Sequence, residues 1–573
     1  MNRLPPRLRA ALLAGAGIAA LAVPAWAAGG ATLTQTDDSY YKRAQETLKK
    51  VLAQRPNTDR AKNVILFVGD GMGFSTVTTA RIFEGQRRGV DGESNVLAFE
   101  AFPYLAASKT YSHDGQVSDS APTAAAFTTG VKAKNDIMSL SQDADVGDCA
   151  DQKTKKVTTI FELAESIGMS TGVVSTARLT HATPGATYAH IANRDWESDS
   201  DIAESVDDAV AEAGVKPDGD EAKAIRAGFD CPDIARQLIE FPYGDGFEVA
   251  MGGGRTKFLP ESADDPEDEG KMGERADGRD LTQEWVEKGG DGAAYVWNQK
   301  QFDGVDAAKV THLLGLFNRS HMAYEADRAG DEAGEPSLAQ MTGKAIDVLA
   351  RNDEGYVLLV EGGRVDHASH AGNAYRTLTD AAALNEAVKT ALAKVDTDET
   401  LIVVTGDHSH TLTMSGYPKR GNPILGIVVG VDDEPILGLD GKPYTTIGFS
   451  NGPGAFVRPP EDPAGSVPAA TKDNVDASAE SGEGQKPMPG ERPDPSKVDT
   501  TDIDYLQQAT VPLESETHGG EDLGIYAIGP WAHLFQGTVE ENYVFHVMDY
   551  ATRISERAAQ EAGGEPAEKA PAN

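Results

Sequence analysis

The chain has 573 residues, with 52 Lys+Arg against 90 Asp+Glu and a formal net charge of −38. Such a surplus of acid repels a nucleic-acid backbone and leaves no basic footprint for one, so no nucleic-acid partner is expected and the charge reads as a solubility feature. The length suits either several domains or one large α/β sheet carrying insertions.

Residues 1–27 read as a secretory signal. Arg3, Arg7 and Arg9 form the charged start, Ala10 to Val23 the apolar centre, and Ala25-Trp26-Ala27 the small-x-small cleavage pattern. A spanning helix needs roughly 20 apolar residues, more than this stretch or any later one offers. The expectation is an exported protein, periplasmic or extracellular, with no membrane anchor. Residues 28–60 read as an arm in which Ser39 to Gln54 is helical, with Tyr40, Ala44, Leu48 and Leu52 near one face that wants a partner. In an oxidising compartment the isolated pair Cys149 and Cys231 reads as a disulfide rather than a metal site.

From residue 61 the pattern is α/β. The apolar runs Val64–Val68, Gly172–Thr176, Tyr356–Val360 and Leu401–Thr405 suit strands covered on both faces of a mainly parallel sheet, with helical stretches such as Thr159–Ile167 and Thr377–Ala393 between them. Asp70, His181, Glu361 and Asp407 fall at or just past the carboxyl ends of these strands, the edge where open α/β sheets bind ligands. Segments 197–229 and 261–292 read as acidic surface excursions. The Pro-, Gly-, Ser- and Asp-rich stretch 461–502 reads as an insertion lacking the apolar content to fold alone.

Three clusters combine carboxylates with imidazoles: Glu361 to His370, Asp407-His408-Ser409-His410, and Glu516 to Asp522. Asp366-x-x-x-His370 puts two ligands on one helix face, as an ordinary solvated pair also would. An acid and an imidazole where a buried strand emerges, as at Asp407-His408, need a partner to neutralise them. The mix suits zinc, with the purely oxygen donors left for magnesium. Ser120, before Pro122 and an alanine run, is either a plain N-cap or a nucleophile at a helix N-terminus that can receive a phosphoryl group.

Together, Asp70-Gly71-Met72-Gly73, Asp119-Ser120-Ala121, His181-Ala182-Thr183-Pro184 with Asn193-Arg194-Asp195-Trp196, and the three clusters resemble the alkaline phosphatase family in its characteristic order. Met251 to Arg255 and Leu314 to Phe317 resemble the version best known from animals. The resemblance implies a secreted enzyme that hydrolyses phosphate monoesters through a phosphoserine on Ser120. Asp366, His370 and His518 would hold one zinc, Asp70, Asp407 and His408 a second, and Asp70, Thr183 and Glu361 a magnesium. Arg194 would grip the phosphate, with His181 and His367 beside the substrate. The resemblance further implies an α/β core over 61–412 and 513–560, an inserted crown-like region over 413–512, a tail from 561, and a homodimer. Cys149 and Cys231 match a disulfide of the animal enzymes. Calcium is a further implied ion, through Glu267, Phe317 and Glu335, with Asn318 where a glutamate is expected. His181 and His367 stand where the enteric bacterial form has an aspartate and a lysine, which weakens electrostatic support for magnesium. The alternatives are a phosphodiesterase or sulfatase on the same scaffold, or an exported phosphate- or metal-binding protein, which has no need of Ser120 as a nucleophile.

Overall fold

The computed structural model describes residues 32–455 and 492–563; the signal-like segment 1–27, residues 461–491 of the low-complexity stretch and the tail from 564 lie outside the described residues. Contacts divide the chain into two units, residues 1–54 and 55–573. In the first, the helix Ser39–Ala53 starts at Asp38, whose carboxylate caps the Tyr40 and Tyr41 N–H groups, and it exposes Leu48 and Val51.

The second unit carries, in chain order, strands β1 Asn63–Gly69, β2 Tyr104–Lys109, β3 Ser170–Arg178, β4 Val249–Gly253, β5 Ala293–Val296, β6 His312–Leu316, β7 Tyr356–Gly362, β8 Thr400–Gly406, β9 Ser409–His410, β10 Leu412–Met414, β11 Ile447–Gly452, β12 Ala509–Pro512, β13 His518–Gly519, β14 Leu523–Ile528 and β15 Gly537–Glu540. Ten form one sheet in the order β15-β2-β14-β8-β1-β7-β3-β4-β6-β5. Within it β14 runs antiparallel to β2 and β8, and the other pairings are parallel. The expected α/β class with a mainly parallel sheet flanked by helices is therefore observed.

Side-chain alternation explains why the central strands are apolar throughout. Val64, Leu66 and Val68 of β1 enter one core, together with Val357 and Leu359 of β7 and Leu401 and Val403 of β8. Ile65, Phe67, Leu358, Val360, Ile402 and Val404 enter the core on the other face, against Leu378, Leu384 and Val388 of the helix Ala374–Lys394. With both faces covered, no position in these strands is left for a polar residue until the strand ends. Chemistry is thereby pushed to the carboxyl edge.

Segment 197–229 differs from a plain surface excursion. It forms helices Asp199–Glu212 and Asp220–Gly228, because Ile202, Val206 and Val210 recur every fourth residue and are buried on one face. The region after β8 forms a separate three-stranded sheet, β10-β11-β12. Cys149 and Cys231 are disulfide-bonded, with Cα atoms 5.6 Å apart. Among the described residues no helix is long and apolar enough to cross a membrane.

Candidate active site

Beyond β1, Gly71 turns the chain at a φ of 70°, and a Cβ there would run into the His410 ring. Its N–H donates to Asp407 Oδ1 at 2.9 Å, tying the ends of β1 and β8 together. Ser120 opens the helix Ser120–Thr129, and the cap is Asp119, whose carboxylate accepts from the Ala121 N–H at 2.6 Å. The plain N-cap alternative for Ser120 is thus replaced: its hydroxyl is free of capping and points at β1 and β8. Ser120 Oγ lies 3.1 Å from His408 Nε2 and 3.3 Å from Asp70 Oδ1. His408 Nε2 is in turn 3.3 Å from Asp70 Oδ1 and 3.5 Å from Asp407 Oδ2. Ligands about 2.0–2.1 Å from a tetrahedral ion stand roughly 3.3 Å from one another, so Asp70, Asp407, His408 and the Ser120 hydroxyl present the vertices such an ion requires.

A second group gathers one ligand atom each from Asp366, His370, His410 and His518, all within 4.8 Å of one another. Asp366 Oδ1 is 3.4 Å from the Nε2 atoms of both His370 and His518, which are themselves 3.1 Å apart. Nδ1 of His370 meets the Glu516 carbonyl at 2.5 Å, and Nδ1 of His518 the Ser118 carbonyl at 2.7 Å. A carbonyl only accepts, so both Nδ1 atoms carry the proton and both Nε2 lone pairs face each other, an arrangement that fits a cation between them. His410 plays a different part. Its Nε2 is 2.7 Å from Asp366 Oδ1 and its Nδ1 2.6 Å from Glu516 Oε2, so it clamps Asp366 from behind. Burial opposes its charge, but Glu516 and Asp366 on either side push it up to about 10.

A third group joins Asp70, His181 and Glu361. Asp70 Oδ2, Thr183 Oγ1 and Glu361 Oε1 are buried here without hydrogen-bond partners. Three orphaned oxygens, two of them carboxylate, fit a hard cation such as magnesium. Ser175 donates to the other Glu361 oxygen.

Burial opposes the Asp366 charge, but His370 and His410 hold its carboxyl well below the usual range; the carboxyls of the other two groups shift the opposite way. Burial, reinforced by Asp407, Asp366 and Glu361, holds the Asp70 carboxyl well above its usual range, and burial pushes Glu361 up to about 7. Burial keeps His181, His367 and His408 neutral far below the usual imidazole range, and lowers His370 as well. Buried carboxyls pushed toward the neutral form ionise when a cation supplies the counter-charge, and neutral imidazoles keep a lone pair for it.

Arg194 Nη1 donates to Asp119 Oδ1 at 3.0 Å and its Nη2 contacts His181 Nε2 at 2.9 Å, which orients the guanidinium beside Ser120. His367 packs against His181, ring centroids 5.3 Å apart, and against His321 at 4.0 Å. The structure therefore brings together Ser120, Arg194, Asp70, Thr183, Glu361, Asp366, His370, Asp407, His408, His518, His181 and His367 at one edge. Sequence reasoning assigned no part to Asp119, Ser175, His321, His410 or Glu516. For His410 and Glu516 the signal was their place inside the motifs; His321 lies in a loop with none. The residues matched to calcium are engaged within the chain, and Asp331 joins Glu267 and Glu335 there. Glu267 accepts from Arg255 Nη2 at 2.7 Å, and Glu335 accepts from Asn318 Nδ2 and from the Ala323 N–H, both at 2.8 Å.

A family model described as alkaline phosphatase matches residues 61–554. The chain belongs to the alkaline phosphatase family. The tissue-nonspecific isozyme of alkaline phosphatase from Gallus gallus is 40% identical over 533 residues, covering 92% of this chain and 91% of that protein. The alkaline phosphatase of Gadus morhua is 40% identical over 519 residues, 90% of this chain and 96% of that protein. Among solved structures, the alkaline phosphatase of Thermus thermophilus aligns with a TM-score of 0.57 at 23% identity, covering 90% of this chain and 97% of that one. That of the Antarctic bacterium TAB5 gives 0.54 at 20%, covering 87% and 99%. These two show the shared fold. Membership makes the chain a phosphoric monoester hydrolase of a metal-dependent family.

Proposed function

We propose that the protein is an exported phosphomonoesterase that works through a phosphoserine on Ser120, with zinc held by Asp366, His370 and His518, zinc held by Asp70, Asp407 and His408, and magnesium held by Asp70, Thr183 and Glu361. The observation that carries this reading is the Ser120 hydroxyl, uncapped and within 3.3 Å of both Asp70 and His408. Bound in these groups, the ions supply Lewis acidity to the attacking and leaving oxygens of an in-line displacement and lower the hydroxyl pKa. Arg194 takes two phosphate oxygens in its planar fork, a task a lysine point charge performs less well. Ser120 Oγ forms a bond to phosphorus as the ester oxygen leaves with its electron pair and a proton to become the alcohol. Water then attacks the same phosphorus, Ser120 leaves as its hydroxyl, and inorganic phosphate is released. His410 and Glu516 hold Asp366 in place throughout.

The Cys149–Cys231 disulfide supports export. A homodimer using the arm at Ser39–Ala53 follows the family resemblance. Labelled substrate quenched in acid should leave phosphate on Ser120; label on another residue would refute the mechanism. Turnover should favour a monoester over a diester and a sulfate ester, and the reverse preference would move the enzyme to the alternative substrate classes.

A further inference from the structure

The loop that follows β6 brings a residue from outside the motifs against the carboxyl edge. It is tied to the ends of two strands: the Gly254 N–H donates to the Ser320 carbonyl at 2.6 Å, and the Met322 N–H to the Thr176 carbonyl at 3.0 Å. Gly253, the last residue of β4, permits the approach, because a Cβ there would run into the Ser320 carbonyl. His321 is thereby carried inward and buried. Its Nδ1 accepts from the Arg178 N–H at 3.2 Å, and its Nε2 lies 2.8 Å from Arg178 Nη1. A donor at each nitrogen excludes the imidazolium. Burial, with the Arg178 charge added, likewise keeps the ring neutral far below the usual imidazole range. Arg178 is itself fixed by Glu197, to which it donates from Nε at 2.8 Å and from Nη2 at 2.7 Å.

The clamped ring faces the two histidines beside Arg194. Its centroid is 4.0 Å from that of His367 and 5.4 Å from that of His181. His367 needs such support, because its Nδ1 is buried without a hydrogen-bond partner, as is the Nδ1 of His181. No packed core stands behind His321 to take its place: it lines a cavity of about 250 Å3 together with Asn318, Tyr324, Asp327 and Arg364. The contacts therefore run in series, from Arg178 through His321 to His367, on to His181, and from His181 Nε2 to Arg194 Nη2 at 2.9 Å.

We propose that His321 is a positioning residue for phosphate binding, its clamped ring fixing the pose of His367 and, through His181, of the Arg194 fork. A planar fork gains two parallel hydrogen bonds only when its plane is set before the ligand arrives. The inference rests on the reading of Ser120 and Arg194 as the phosphate site, and adds to it a residue from a loop that no motif covers.

Two variants of the full-length, metal-loaded protein separate the ring from its nitrogens. His321→Asn keeps a polar partner for Arg178 and removes the ring from His367. KM for a monoester and Ki for inorganic phosphate should both rise about three- to tenfold, the contribution of one aromatic pair, with kcat within about twofold of wild type. His321→Phe keeps a ring without the nitrogens and should stay near the wild-type KM. In a cycle with His367→Ala, the double variant should match His367→Ala alone, since the first residue acts through the second. Unchanged KM and Ki in His321→Asn, the reverse ranking of the two variants, or additive effects in the cycle would each overturn the inference. Acid-quenched label in the same preparations keeps the two readings apart: label on Ser120 with unchanged KM removes His321 alone, whereas label elsewhere removes the mechanism it builds on.

Discussion

Two regions of this molecule bury acidic groups and neutralise them differently. Between β4 and β5, Arg255 is fully buried and forks onto Asp265, donating from Nε at 2.9 Å and from Nη2 at 2.8 Å, with Glu267 beside it. Arg275, equally buried, forks onto Asp233 at 3.1 and 3.0 Å and also meets Asp277. At the carboxyl edge, Asp70 and Asp407 meet the neutral imidazole of His408, and among the described residues no lysine or arginine pairs with them. Around Arg255 and Arg275 the chain supplies the cation itself, and at the carboxyl edge His410 does so for Asp366 and Glu516, whereas Asp70 and Asp407 have only the neutral His408 beside them.

The comparison breaks if the carboxyl edge carries no chemistry of its own. Ser120→Ala should lower kcat by several orders of magnitude, with circular dichroism and zinc content nearly unchanged. An alanine variant that keeps most of its turnover would sink the assignment. On the other side, Arg255→Met removes the fork from buried Asp265 and leaves it only Arg319 at 3.3 Å as counter-charge, and should cost up to about 3–5 kcal/mol of stability in denaturant unfolding. Its zinc content should hold at the wild-type value; loss of zinc without loss of stability would erase the distinction between the regions.

Much of this was legible in the sequence, for a reason. Strands buried on both faces must be continuously apolar, so β1, β3, β7 and β8 announce themselves, and the polar residues that follow mark the site. The residues of the candidate metal groups were legible because they sit in compact motifs, most of them at those strand ends. What escaped were the parts made by residues distant in sequence. Glu516 reaches His410 across 106 residues, Arg275 reaches Asp233 across 42, and Glu248 reaches Thr171 across 77. No local pattern encodes such pairs. Whether Ser120 caps its helix or stays free as a nucleophile was open in the sequence because serine and aspartate are equally good caps, and only the fold makes Asp119 the cap.

Smaller effects sharpen the account. Arg194→Ala removes the fork that Asp119 and His181 aim, so KM for a monoester should rise about ten- to a hundredfold. Recovery in Arg194→Lys should be partial; full recovery would show that charge alone suffices. His181→Asp puts a charged oxygen beside Asp70 and Glu361, so magnesium activation curves at fixed zinc should shift to lower concentration. Turnover should fall as the better-held cation strengthens the ground state. An equal or weaker apparent affinity for magnesium would remove His181 as a determinant of that group.

The central claim, that the carboxyl edge leaves its positive charge to metal ions in separate groups, is tested most directly by counting zinc in purified wild type and His370→Ala. The account predicts two zinc ions per chain in the wild type and one in the variant, because Asp70, Asp407 and His408 keep theirs while Asp366 and His518 cannot close a site alone. An unchanged zinc count in His370→Ala would contradict it.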